Sequence, residues 1–383
     1  MKKRSRILFS LFCVSILLAS CGNKETGDNS NKAPEKSAEQ YKLETIKPKA
    51  YSSIKGLSLE PGATISIIGR YSDDSYWKEV EKGAKQAIAD LNSALGYKGS
   101  DKIKLTYCAP STRDDVNEQV NLLDQELDRA PSAIGIATID ATACSIQFDL
   151  ASENGIPIVT LDSGNDYQHI ASHVSTDNLK ATQVAAENLA EEIGKKGEIL
   201  VFTQDSISTT ATTRLNGFLE TLETNYPEIT VAEVYHFDKL QEIAQIISDE
   251  EKANSENLEK VREPEDISHE DVVSYLLEKH PDVKGIYATN LDTTQLVAKV
   301  LKDSDSKEIS FVGFDGGQEQ IKLLENGVLK GVIVQNPFGM GYAAVVAAAR
   351  VSLGLANESF VDTGYIWVTK ENMTSKKIKN LLY

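Results

Sequence analysis

A chain of 383 residues with 41% hydrophobic content has enough material for two domains with cores of their own. Its formal net charge of −17 excludes nucleic acid and flat adsorption on anionic lipid as partners, because phosphate binding needs clustered Lys and Arg. Of four cysteines only Cys108 and Cys144 lie in the body, which excludes a disulfide framework. They read as two separate thiols, with one bridge between them as the alternative.

Residues 1–6 are basic, 7–19 are apolar, and Leu18-Ala19-Ser20-Cys21 leads into a polar stretch. This reads as a signal peptide over 1–20, too short to span a membrane comfortably. The cysteine after Leu-Ala-Ser resembles a bacterial lipobox, which implies that Cys21 takes a lipid and becomes the N-terminus. A plain signal peptide with an incidental cysteine is the alternative. Over 21–61 Asn, Lys, Glu, Ser and Pro dominate without apolar periodicity, so a flexible tether is predicted.

From residue 64 strand and helix alternate. Strands are predicted over 64–68, 102–107, 133–137 and 155–160, with helices over 76–95, 114–127 and 143–153. A second set follows: helix 179–193, strand 198–202, helix 212–226, strand 230–235 and a helix beginning at 240–247. It continues through helix 271–278, strand 283–288, helix 293–301, strand 309–314, helix 318–325 and strand 329–334. An apolar helix over 341–353 and a strand over 365–369 complete it. Such βα units predict an α/β fold with two similar doubly wound parallel sheets. The stretch 248–270 is charged and poor in large apolar residues, so it reads as a solvated helical insertion or loop, with a docking surface as the alternative.

The polar residues collect after the strands. The first strand is followed by Ser72-Asp73-Asp74-Ser75-Tyr76-Trp77, and others deliver Asp162, Asn290, Asp315 and Gln335. Arg214 lies just inside the helix after 198–202, and Phe237 follows 230–235. In open α/β sheets ligands bind beyond the carboxyl ends of the strands. Short acids, amides, one arginine and flanking aromatics suit a neutral polyhydroxylated ligand. No cofactor is expected: there is no Walker loop, nucleophile elbow or dinucleotide fingerprint. The five histidines have no metal-ligand spacing with cysteine. His169 and His173 read as structural, and the adjacent Asp73 and Asp74 as neither a metal pair nor an acid/base pair. Nothing supplies a nucleophile, so no enzyme is expected.

Several pieces occur in a recognisable order. They are Ile156-Pro157-Ile158-Val159-Thr160-Leu161-Asp162, Arg214-Leu215-Asn216-Gly217-Phe218, Phe237-Asp238, His280-Pro281-Asp282-Val283, Ala288-Thr289-Asn290, Val312-Gly313-Phe314-Asp315-Gly316 and Val334-Gln335. On these, the chain from about residue 62 onward resembles the type I periplasmic binding proteins of the ribose-binding group, solute receptors of ABC importers. The resemblance implies two lobes joined by three crossings, with 62–176 plus 336–361 in one and 177–335 plus 362–383 in the other. It implies that Tyr76 and Trp77 stack on a sugar with Phe237 opposite, and that Asp162, Arg214, Asn290, Asp315 and Gln335 bond its oxygens. Asp74 stands where ribose receptors have asparagine. Ser163 replaces an arginine and Thr138 an asparagine, so the ligand implied is a monosaccharide or related polyol rather than ribose in particular. The partner implied is an ABC permease, with a sensor kinase or chemoreceptor as the alternative. The body is expected to be monomeric and held to the membrane through Cys21.

Overall fold

The computed structural model describes residues 36–254, 261–303 and 309–383. Ten strands come in two runs of five: β1 (Thr64–Ile68), β2 (Lys104–Cys108), β3 (Ala133–Ile136), β4 (Ile158–Leu161), β5 (His173–Ser175), then β6 (Gly197–Thr203), β7 (Ile229–His236), β8 (Val283–Ala288), β9 (Ser310–Phe314) and β10 (Leu329–Gln335). Two more, β11 (Phe360–Asp362) and β12 (Tyr365–Val368), follow late in the chain. They form two six-stranded sheets, ordered β11-β5-β4-β3-β1-β2 and β12-β10-β9-β8-β6-β7. Strand for strand the two orders correspond, so β4 matches β9 and β5 matches β10. All pairings are parallel except that of β12, which runs antiparallel beside β10. β3, β4 and β9 are buried throughout, as largely apolar strands are when helices cover both faces.

Each sheet has an apolar cluster on either face. The helix Pro337–Ser352 comes late in sequence but packs in the first sheet's core, beside the helix Ser75–Leu95. Gly83 and Gly341 let these two helices touch: a Cβ on Gly83 would run into the Phe338 carbonyl, and one on Gly341 into that of Val80. The chain therefore leaves the first lobe after β5, re-enters it after β10, and returns to the second sheet between β11 and β12.

Two expectations are corrected, and two strands appear where none was expected. The tether over 21–61 does not reach that far. Ser37 caps a helix, Ala38–Glu44, and Ile46, Tyr51, Leu57 and Leu59 are buried in the first lobe's core. Lys47 and Asp362 exchange backbone hydrogen bonds at 2.7 and 2.9 Å. These apolar residues bury singly along an irregular path, so they leave no period to read. The stretch 248–270 is not simply solvated. The helix Leu240–Asn254 runs into it, Arg262 is paired with Glu251 and Asp271, and Ile267 is buried. Residues 255–260 lie outside the described residues, as does Cys21. Finally β5 and β11, three residues each, are too short to show a period and form only because neighbouring strands offer edges. Cys108 is half-buried and Cys144 buried, both as free thiols.

Candidate functional site

The carboxyl ends of both sheets face one cleft. β4 and β9, equivalent strands, each end in an aspartate with left-handed backbone: φ is 57° at Asp162 and 74° at Asp315. Non-glycine residues adopt this conformation at a cost of about 1 kcal/mol or more. Here the ladder enforces it, because the Asp162 N–H donates to the Val174 carbonyl at 2.9 Å and the Asp315 N–H to that of Ile333 at 2.7 Å. The same device in both lobes turns one buried carboxylate from each into the cleft; Asp162 is 7% and Asp315 3% exposed.

Each carboxylate is held. The Tyr76 phenol donates to Asp162 Oδ1 at 2.6 Å. Gln335 Nε2 and the Tyr383 phenol donate to Asp315 Oδ1 at 2.8 and 3.1 Å. Burial pushes the Asp315 carboxyl up to about 6, against the pull of the Arg214 guanidinium and of those hydrogen bonds. Arg214 is itself fixed, by Nε to Asn178 Oδ1 and Nη1 to the Thr289 carbonyl, both 2.8 Å, with its guanidinium 3.9 Å above the Phe314 ring. Asn290 donates to Gln204 Oε1 at 2.9 Å.

Asp74 caps the helix Ser75–Leu95, accepting from the Trp77 N–H at 2.7 Å, and this turn sets Tyr76 and Trp77 at the cleft. Two arginines bridge the lobes. Arg70 Nη2 reaches Asp114 at 2.7 Å and Asp205, in the other lobe, at 3.1 Å. Arg113 reaches Asp74 at 3.3 Å and, across the cleft, Asp292 at 2.6 Å. Burial opposes the Arg70 charge, but Asp114 and Asp205 hold its pKa above the usual arginine value. Burial also raises the Asp292 carboxyl to about 6.

Of the residues singled out in the sequence, Asp74, Tyr76, Trp77, Asp162, Arg214, Asn290, Asp315 and Gln335 line this one cleft. Phe237 does not. It stacks on His269 and tilts against Tyr235 at the edge of the second lobe. A 3-10 turn, Phe237–Lys239, follows β7, an edge strand whose end does not open on the cleft. The sequence reading missed Arg70, Arg113, Asp114, Gln204, Thr210 and Asp292, which also line it. All lie after strand ends or in the first turn of a helix, the placement that picked out the others. Thr138 and Ser163 are buried and spent on other bonds: Thr138 donates to the Gly164 carbonyl, and Ser163 pairs with Thr209 at 3.2 Å. Among the described residues no cluster fit for a metal ion occurs. The cleft lining is mostly acids, arginines, amides and aromatic side chains, so it offers both donors and acceptors.

A family model described as a periplasmic binding protein domain matches residues 65–356. The chain belongs to the periplasmic binding protein family. It is accordingly a solute-binding protein of an extracytoplasmic family and not an enzyme. Among curated relatives, the ribose import binding protein of Haemophilus influenzae is 22% identical over 291 residues, 76% of this chain and 86% of its own length. The D-apiose import binding protein of Actinobacillus succinogenes is 26% identical over 289 residues, 75% and 81% of the two chains. Among solved periplasmic binding protein structures, a carbohydrate transporter solute binding protein from Agrobacterium radiobacter, in complex with D-arabinose, is 27% identical at a TM-score of 0.70, covering 84% of this chain and 99% of that one. A sugar-binding protein of a Bacillus halodurans sugar ABC transporter is 26% identical at a TM-score of 0.64, covering 81% and 99%.

Proposed function

We propose that this chain captures a monosaccharide-like ligand, a pentose or a related polyol, between its lobes and delivers it to an ABC importer. One observation carries the reading. The cleft is lined by a carboxylate from each lobe, and by Arg70 Nε and Thr210 Oγ1, which are buried without a hydrogen-bond partner among the described residues. Buried polar atoms are almost always bonded, so a ligand rich in hydroxyls completes the set. Trp77, at the start of its helix, offers an aromatic face to the ligand's C–H surface. The names of the relatives favour the same class, since they import ribose and D-apiose, and the Agrobacterium radiobacter protein holds D-arabinose.

Ligand contacts made by both lobes favour the closed arrangement, so binding and closure are one equilibrium. The test is a thermal-shift panel of D-ribose, D-apiose, D-arabinose, hexoses and cyclitols. A sugar bound only by the folded state at a hundred times its Kd adds about 2.7 kcal/mol, a shift of several degrees. A panel in which no sugar moves the midpoint would sink the assignment. Anchoring through Cys21 belongs to the same reading. Cys21→Ser is expected to move the protein from the membrane to the soluble fraction, and retention in the membrane would count against it.

A further inference from the structure

The residues after β12 belong to neither sheet. Residues 369–383 run over the second lobe and bury Met373 and Ile378 in its core, and Leu381 is buried as well. The segment carries Tyr383 to a place between the lobes, where its ring packs against the apolar cores of both. The Tyr383 N–H donates to the Gly316 carbonyl at 3.1 Å and its phenol to Asp315 Oδ1 at 3.1 Å. Its ring meets the Tyr76 ring edge-on, with centroids 6.0 Å apart at 69°.

Tyr76 in turn donates to Asp162 Oδ1. The two equivalent aspartates are thus each held at one oxygen by a tyrosine phenol, and the two tyrosines brace each other. Among the described residues, neither Oδ2 has a side-chain hydrogen-bond partner. We propose that Tyr383 is a positioning residue of the ligand site, which fixes Asp315 with Oδ1 engaged and Oδ2 presented to the sugar, as Tyr76 does for Asp162. This rests on the sugar-binding reading above.

The physical need is rotational. An aspartate carboxyl turns in a broad, two-fold well about its last torsion. Gln335 alone leaves that rotation loosely determined, whereas two donors converging on Oδ1 close it. The phenol also favours the charged form, which burial opposes. The charged and titratable groups facing Asp315 are Arg214, Asp162, Asp292, Tyr76, Tyr287 and Tyr383. Of these only Arg214 is a cation, so a lost phenol bond is not made up by a second positive charge.

The experiment compares wild type with Tyr383→Phe, which keeps the ring and its packing. The first readout needs no sugar: the Asp315 carboxyl carbon is titrated by NMR, with Asp315→Asn used to assign the signal. Its midpoint, about 6 in the wild type, is expected to rise by about one unit in Tyr383→Phe. The second is calorimetric binding of D-arabinose from pH 5 to 8. Protonation removes the acceptor, so affinity falls as pH drops through the Asp315 midpoint. In Tyr383→Phe this acid limb moves up with the carboxyl, and affinity at pH 7 falls roughly tenfold. An unchanged carboxyl midpoint overturns the proposal, as does unchanged affinity with an unchanged pH profile. If wild-type protein binds neither D-arabinose nor any other sugar of the panel, the sugar reading fails, while the carboxyl titration still decides whether Tyr383 positions Asp315.

Discussion

Asp315 sits under two opposing demands, burial against its charge and, in the proposed function, a ligand that needs it charged. Its neighbours decide the balance: one guanidinium and two donors hold a carboxylate that burial alone would neutralise at moderate pH. Asp315→Asn keeps the side-chain shape, and asparagine tolerates φ of 74° better than most residues. It replaces an acceptor by a group that can offer a donor, so sugar affinity is expected to fall roughly ten- to a hundredfold, with the melting midpoint without sugar little changed. Calorimetry on the best sugar of the panel checks this, and an affinity within threefold of wild type would remove Asp315 from the site. That Asp162 and Asp315 line the cleft was legible from their place after apolar strands. That a tyrosine holds each was not, because Tyr76 and Tyr383 are local to neither.

The pair of helices Ser75–Leu95 and Pro337–Ser352 fastens the late return of the chain to the first lobe. Their contact is backbone against backbone at Gly83 and Gly341. Gly341→Ala gains helix propensity, worth about 1 kcal/mol. It also forces a methyl into the Val80 carbonyl, and overpacking of this kind costs about 1–3 kcal/mol or more when backbone must move. The collision wins, so denaturant melts are expected to show a net loss of stability. A stabilised Gly341→Ala would mean that the helices stand further apart than described. Sequence alone marks Gly341 as an ordinary small residue in an apolar helix, since its partner lies more than two hundred residues earlier. The segment 37–61 is a similar case, in which isolated apolar residues gain meaning only from the core they enter.

For the molecule as a whole, the bridges from Arg70 to Asp205 and from Arg113 to Asp292 join the lobes across the cleft. They lie after β1, β2, β6 and β8, away from the β5 and β10 side where the chain crosses between lobes. Asp205 Oδ1 also accepts from the Ser208 N–H at 2.7 Å, at the turn before the helix Thr209–Asn225. Asp205→Asn keeps an oxygen for that bond while removing the charge facing Arg70. It is expected to shift the lobes toward an open arrangement and weaken sugar binding several-fold, because a ligand's apparent affinity scales with the fraction of protein in the competent state. Small-angle scattering without sugar reads the shift as a larger radius of gyration; an unchanged radius together with unchanged affinity would show the bridge to be idle.

Local pattern determined much of this protein. Apolar runs ending in short polar residues mark the strands and their order, and parallel sheets place whatever follows those strands in one crevice. That physical regularity made Asp162, Arg214, Asn290, Asp315 and Gln335 readable before any fold was known. It also misplaced Phe237, since a residue after an edge strand can turn outward as easily as in. What pairs around the cleft was decided only by the tertiary structure: Arg70 with Asp205 and Arg113 with Asp292 across it, and Tyr383 with Asp315 within the second lobe. Such contacts join residues up to 179 positions apart, and a pairing at that distance depends on where two lobes meet rather than on any pattern along the chain.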